Sequence, residues 1–112
     1  MQVTNEQIAS AVHRLVERFD PERIILFGSQ ARGTADERSD VDLLVISRFT
    51  GKRRELLVEM DRTLRGMGIA RDIVLLTPEE YDRDRDIPGT VARPASLEGK
   101  VLYECPEKTV DQ

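Results

Sequence analysis

Ile8, Val12, Leu15, Val16 and Phe19 recur at helical spacing, so the chain opens on an amphipathic helix. Ahead of them, Thr4-Asn5-Glu6-Gln7 has the form of a capping box, in which the Thr4 hydroxyl and the Gln7 amide serve exposed helix N–H groups. Asp20-Pro21 ends this helix. Arg23 to Phe27 is a short, β-branched and apolar run that breaks at Gly28, the pattern of a buried strand. Gly28 to Gly33 is a glycine-bounded turn with room for one helical turn. Thr34 to Ser39 is polar loop, and Asp40 to Ile46 predicts a second strand.

The pattern then returns to a helical period. Leu56, Leu57, Met60 and Leu64 predict a second amphipathic helix from about Lys52 to Arg65, closed by Gly66 and Gly68. Arg71 to Leu76 is a third strand. Thr77-Pro78-Glu79-Glu80 marks another helix start, with a capping threonine, proline at the first helical position and an acidic first turn. Pro88 and Pro94 leave the stretch between them without an assigned element, and Lys100 to Glu104 reads as a last strand. The expected order is helix, strand, turn, strand, helix, strand, helix, strand, without repeat or linker. One domain over residues 1–112 accounts for it.

Composition narrows the class. With 112 residues, 39% hydrophobic and 34% charged, the chain reads as an ordinary soluble domain with one core. No apolar run approaches the roughly 18 to 20 residues of a membrane span, and Met1 to Gln7 lacks the segments of a signal peptide. Cys105 is the single cysteine, which excludes an internal disulfide or a thiol metal cluster and suits a cytoplasmic setting. A net charge of −4 argues against bulk nucleic-acid binding, but a local pocket can still take a nucleotide.

Two short motifs carry chemistry. In Asp40-Val41-Asp42, residues two apart on a strand point the same way, roughly 6.5 to 7 Å apart at the backbone. Two like charges on an otherwise apolar strand repel each other, and burial desolvates both. A divalent cation removes the conflict: magnesium takes hard oxygen ligands, usually one or two carboxylates plus substrate phosphates. The plainer alternative leaves both carboxylates in solvent at the strand mouth. Gly28-Ser29 sits where a strand meets a tight turn, where free N–H groups and the Ser29 hydroxyl can receive phosphate oxygens. Arg32 adds a phosphate donor, or is a solvated surface arginine. His13, the basic run Lys52-Arg53-Arg54 and the alternating run Asp82-Arg83-Asp84-Arg85-Asp86 are most simply solvated surface, and Tyr81 and Tyr103 packing residues.

Ile25-Leu26-Phe27-Gly28-Ser29-Gln30-Ala31-Arg32-Gly33, followed by Ser39-Asp40-Val41-Asp42-Leu43-Leu44-Val45, resembles the signature of the DNA polymerase β-like nucleotidyltransferase superfamily: Gly-Ser, ten residues, then Asp-x-Asp. The Ala-Arg-Gly and Ser-Asp flanks, and the closing Leu97-Glu98-Gly99-Lys100-Val101-Leu102-Tyr103-Glu104, are similar to the minimal nucleotidyltransferases in particular. Pro94 departs from that pattern, falling where the family continues a helix. The resemblance implies an α/β (α+β) fold, a small mixed sheet flanked by helices like the polymerase β palm. It also implies a third carboxylate opening a later strand, which Asp72 supplies; the bland alternative pairs Asp72 with Arg71.

For these groups to meet, the first strand must run antiparallel to the second and the second parallel to the third, with the helix from Lys52 to Arg65 as crossover. The resemblance implies catalysis with two magnesium ions on Asp40, Asp42 and Asp72, with Gly28 and Ser29 on the triphosphate of ATP. It implies transfer of AMP to a hydroxyl. The leading acceptor is a tyrosine of a helical HEPN-type toxin, which would make this chain an antitoxin and part of a hetero-oligomer. Two other readings stand beside it: a non-catalytic nucleotide-binding subunit that neutralises a partner by contact, and an enzyme modifying a small-molecule hydroxyl.

Overall fold

The computed structural model describes residues 4–28 and 40–105. Helix α1 (Asn5–Phe19) begins at the expected capping box: Gln7 N–H donates to the Thr4 hydroxyl at 3.1 Å, and Thr4 N–H donates to the Gln7 side-chain oxygen at 2.9 Å. Ile8, Ala11, Val12 and Leu15 form its buried stripe. The helix stops at Asp20, which turns left-handed (φ 49°) and donates its N–H to the Val16 carbonyl. Aspartate is one of the few non-glycine residues that visits that region.

Strands β1 (Arg23–Phe27) and β2 (Val41–Ile46) pair antiparallel, with Ile25 opposite Leu44 and Phe27 opposite Asp42. After helix α2 (Arg53–Thr63), strand β3 (Arg71–Leu76) lies parallel to β2. Helices α3 (Pro78–Asp84) and α4 (Ala92–Glu98) follow, and β4 (Lys100–Glu104) closes the sheet antiparallel to β1. The strand order is β3-β2-β1-β4. The antiparallel and parallel pairings that a shared site demands are both present.

The sheet is covered on both faces, which is why β1 and β2 read as near-continuous apolar runs instead of alternating ones. On one face Ile24, Leu26, Val41, Leu43, Val45 and Leu75 pack with α1 and with Met60 and Leu64, at and just beyond α2. On the other, Ile25, Phe27, Leu44 and Ile46 pack with Tyr81 of α3 and with Ala92 and Ala95 of α4. Leu15, Ile24, Leu43, Leu44 and Leu75 are fully buried, and each such side chain contributes about 1.5 to 3 kcal/mol.

Helix α4 is the element missing from the expected order, and Pro94 explains why it can form. Counting from Ala92, Pro94 is the third helical residue. Amides of the first turn have no intrahelical acceptor, so a proline there removes no hydrogen bond. At the helix end, Gly99 N–H donates to the Ala95 carbonyl at 3.0 Å. A Cβ on Gly99 would run into that carbonyl and the Ile25 side chain, so glycine lets the turn rest directly on β1. The segment expected as solvated charge is exposed at Asp82, Arg83, Arg85 and Asp86, with Asp84 half-buried; within it Arg83 pairs with Asp84 at 2.7 Å, and Arg85 stacks over Tyr81 at 5.5 Å. Among the described residues, no helix is long and apolar enough to cross a membrane.

Candidate active site

Phe27, Asp42 and Asp72 form one row across β1, β2 and β3, because Asp42 is the register partner of both its neighbours. Laterally paired residues share a sheet face, with adjacent strands about 4.8 Å apart. The face is the one that α3 and α4 cover further along the strands, through Ile25, Leu44 and Ile46. Asp42 is half-buried; Asp40, just ahead of the strand, and Asp72 are exposed. The strand mouth is held square by a further ladder bond, Val41 N–H to the Ala70 carbonyl at 2.8 Å.

Gly28 completes the arrangement at the end of β1. Its φ is +76°, a conformation open to glycine, and a Cβ built there would collide with the Asp42 carboxylate, whose Cγ lies 3.1 Å from that position. The turn that begins at Gly28 therefore passes hard against the Asp42 side chain. Sequence spacing brings Gly28 and Asp42 into one motif, but their contact is a product of the Phe27–Asp42 pairing. Ser29 and Arg32, the other two phosphate-binding candidates, lie outside the described residues.

The alternative partner for Asp72 is otherwise engaged. Arg71 points to the opposite face, where its guanidinium meets the Asp61 carboxylate at 2.9 Å, the Asp61 carbonyl at 2.8 Å and the Ile69 carbonyl at 3.0 Å. No sequence pattern announces this tie, since it spans the loop between α2 and β3. His13 is exposed beside Glu17, and Arg53 is bound to Glu80 and stacked over Phe49, so neither joins the site.

Neighbouring carboxylates on one face suit a hard dication. Among the described residues no three His, Cys, Asp or Glu side chains close into a metal cage. Magnesium does not require one, because it keeps waters and substrate phosphates in its shell beside one or two carboxylates. Asp40, Asp42 and Asp72 fit that donor set. A cavity of about 470 Å³ lies away from them, between α1 and β4, lined by Ile8, Val12, Leu26, Leu102 and Tyr103 among others. Its apolar wall does not suit a triphosphate.

The family model of the nucleotidyltransferase domain matches residues 6–101. The chain belongs to the nucleotidyltransferase domain family. This nucleotidyltransferase is 58% identical over 52 residues to a Methanocaldococcus jannaschii protein named as a putative protein adenylyltransferase. That stretch is 46% of the chain and 29% of the relative, so less than a third of the relative's length is spanned. Among solved structures, a putative nucleotidyltransferase from Sulfolobus solfataricus superposes with a TM-score of 0.63 at 22% identity, over 92% of this chain and 81% of that one. A toxin–antitoxin complex with AMP-PNP gives a TM-score of 0.63 at 20% identity, over 89% and 76%. The toxin–antitoxin MntA–HpeT, in a double Asp-to-Glu mutant, gives 0.62 at 19% identity over the same shares. At these identities the solved structures speak for the fold, which is that of the polymerase β-like nucleotidyltransferases.

Proposed function

We propose that this nucleotidyltransferase moves AMP from ATP onto a hydroxyl of a partner protein, a tyrosine of a HEPN-type toxin, and thereby acts as its antitoxin. The observation that carries the reading is the pairing of Asp42 with Asp72 across β2 and β3, beside the close approach of Gly28. In this reading the Gly28 N–H and the Ser29 hydroxyl hold the triphosphate, with Arg32 as a further donor. Two magnesium ions on Asp40, Asp42 and Asp72 would offset phosphate charge and lower the pKa of the acceptor hydroxyl. The acceptor hydroxyl gives up its proton to solvent, its oxygen bonds to the α-phosphorus, the bond from that phosphorus to the bridging oxygen breaks, and pyrophosphate leaves with that electron pair. The protein supplies position and charge, which is most of what phosphoryl transfer needs.

The choice of a protein acceptor draws on the adenylyltransferase named in Methanocaldococcus jannaschii and on the toxin–antitoxin complexes that share the fold. An intracellular setting, where ATP and a reduced Cys105 are at hand, belongs to the same proposal. The test is incubation with α-labelled ATP, magnesium and the protein encoded beside this chain. Label should appear on a tyrosine of that protein and disappear in its phenylalanine variant. Binding and neutralisation of the partner without any label would reduce the chain to a contact inhibitor.

A further inference from the structure

Asp72 stands on an outer strand of the four-stranded sheet, and among the described residues β2 is its lateral neighbour. The backbone leading into that strand turns twice through the left-handed region, with Gly66 at φ +90° and Gly68 at +74°, within six residues of Asp72. An edge strand entered from such a loop frays at its first residues unless something ties them down. Asp72 is the second residue of the strand, and the proposed chemistry uses its placement opposite Asp42.

The tie is Arg71. Its guanidinium reaches back across the loop to two points: the Asp61 carboxylate and carbonyl in the last turn of α2, and the Ile69 carbonyl two residues before it. The Asp61 carbonyl also accepts the Leu64 N–H at 3.1 Å, and a cation there meets the negative pole of the helix. The fork geometry of arginine lets one side chain satisfy three oxygens at once, which lysine cannot match. Arg71 is largely buried, its side chain 14% exposed, and its Nε is buried without a hydrogen-bond partner. An unpaired buried donor works against stability, and an apolar side chain would fill the space without it.

We infer that Arg71 is a positioning residue for Asp72, locking the start of β3 to the end of α2 so that the Asp72 carboxylate stays beside Asp42. The inference rests on the reading of Asp72 as the third site carboxylate. It predicts that loosening Arg71 weakens whatever Asp72 holds while the rest of the nucleotide site is untouched.

The experiment uses manganese as a magnesium probe, with an ATP analogue whose α–β bridge is methylene, so no acceptor is needed. Electron paramagnetic resonance counts the bound metal, and hydrogen exchange follows the amides of β3. Wild type should bind two manganese ions. Arg71→Met should weaken the second by about tenfold or more, the range of a lost supporting contact, with nucleotide affinity unchanged and faster exchange at Asp72 and Ile73. Arg71→Lys, which keeps the charge near Asp61, should recover part of the loss and covers the case in which Arg71→Met does not fold. Asp72→Ala is measured alongside. If Asp72→Ala loses the second ion while folded Arg71→Met and Arg71→Lys both keep it, Arg71 is only structural and the inference fails. If Asp72→Ala itself keeps both ions, the reading beneath the inference fails and takes the inference with it.

Discussion

The two ends of the sheet treat their acidic residues in opposite ways. Where β1 begins and β2 and β3 finish, glutamates are matched with arginines: Arg48 lies 3.0 Å from Glu22 and 2.8 Å from Glu79, Arg23 lies 2.9 Å from Glu104, and Arg53 lies 2.6 Å from Glu80. Arg48 raises its own affinity for a proton by bonding Glu79, and Glu79 is held below its ordinary pKa chiefly by a backbone N–H, with Arg48 assisting. At the other end Asp40 and Asp72 take part in no ion pair among the described residues, while Arg71, beside Asp72 in sequence, is spent on Asp61 across the sheet. The paired end is complete in itself, and exposed pairs of that kind add little to stability. The site end sets carboxylates side by side, an arrangement that makes sense with a cation arriving together with its substrate.

That contrast can be broken most severely at Asp40 and Asp42. Asp40→Asn and Asp42→Asn should each lower nucleotidyl transfer by about a thousandfold or more, since both carboxylates carry metal in the proposed site. Melting temperature should hold or rise slightly, because a repelling charge is gone. Activity and melting curves are to be read together, and variants that unfold would mark these residues as structural.

The next effect in size belongs to Asp72. Asp72→Ala should cut the single-turnover rate by about a hundredfold while ATP titration gives nearly the wild-type affinity, the signature of an interaction made mainly in the transition state. Wild-type transfer by this variant would remove Asp72 from the site. Chelation comes third: calorimetry should show ATP binding weakened by about tenfold or more without magnesium, because clustered carboxylates repel a triphosphate unless cations intervene. Equal affinity in chelator would sink the metal-bridged site.

The smallest effect lies at the paired end. Glu80 accepts the Thr77 N–H at 2.9 Å in a capping box and is bound by Arg53, and its pKa is lowered, first by the Thr77 hydrogen bond. A carboxylate whose pKa falls on folding contributes stability in full above its ordinary value and loses it as pH drops through the lowered one. Glu80→Gln should therefore cost about 0.5 to 1 kcal/mol near neutral pH, a typical capping contribution. The difference from wild type should vanish in acid, and transfer at neutral pH should be unchanged. A variant as pH-sensitive as wild type would show that other carboxylates set the acid limit.

Much of this architecture is legible before any coordinates, for local reasons. The capping box at Thr4–Gln7 and the helix start at Thr77 sit where the sequence predicts, because their signals span three residues; at Thr77 the structure adds that Glu80 closes a second box. The bounds of β1 and β3 match the apolar runs residue for residue. Helix α4 escapes because Pro94 reads as a breaker until its place in the first turn is known. The Arg71 tie and the Gly28–Asp42 contact escape for a different reason: each joins residues whose meeting depends on a finished sheet. For the candidate site, Gly28 and Asp72 both lie beside Asp42, and Ser29 and Arg32 lie beyond the described residues.

The pairing of β4 with β1 has a consequence for how the molecule is made. The Arg23–Glu104 contact joins residues 81 positions apart, and Cys105 N–H reaches back to the Glu22 carbonyl at 2.9 Å. A ribosome adding about 5 to 20 residues per second needs roughly 4 to 16 s to cover that distance. Through that interval the flank of β1, with its apolar Ile24, Ile25 and Leu26, has no neighbour on one side, the condition in which strands recruit other chains. The nascent protein thus has a window of vulnerability fixed by the order of its strands. Removing residues 100–105 would make that window permanent, and the expected product is an aggregate.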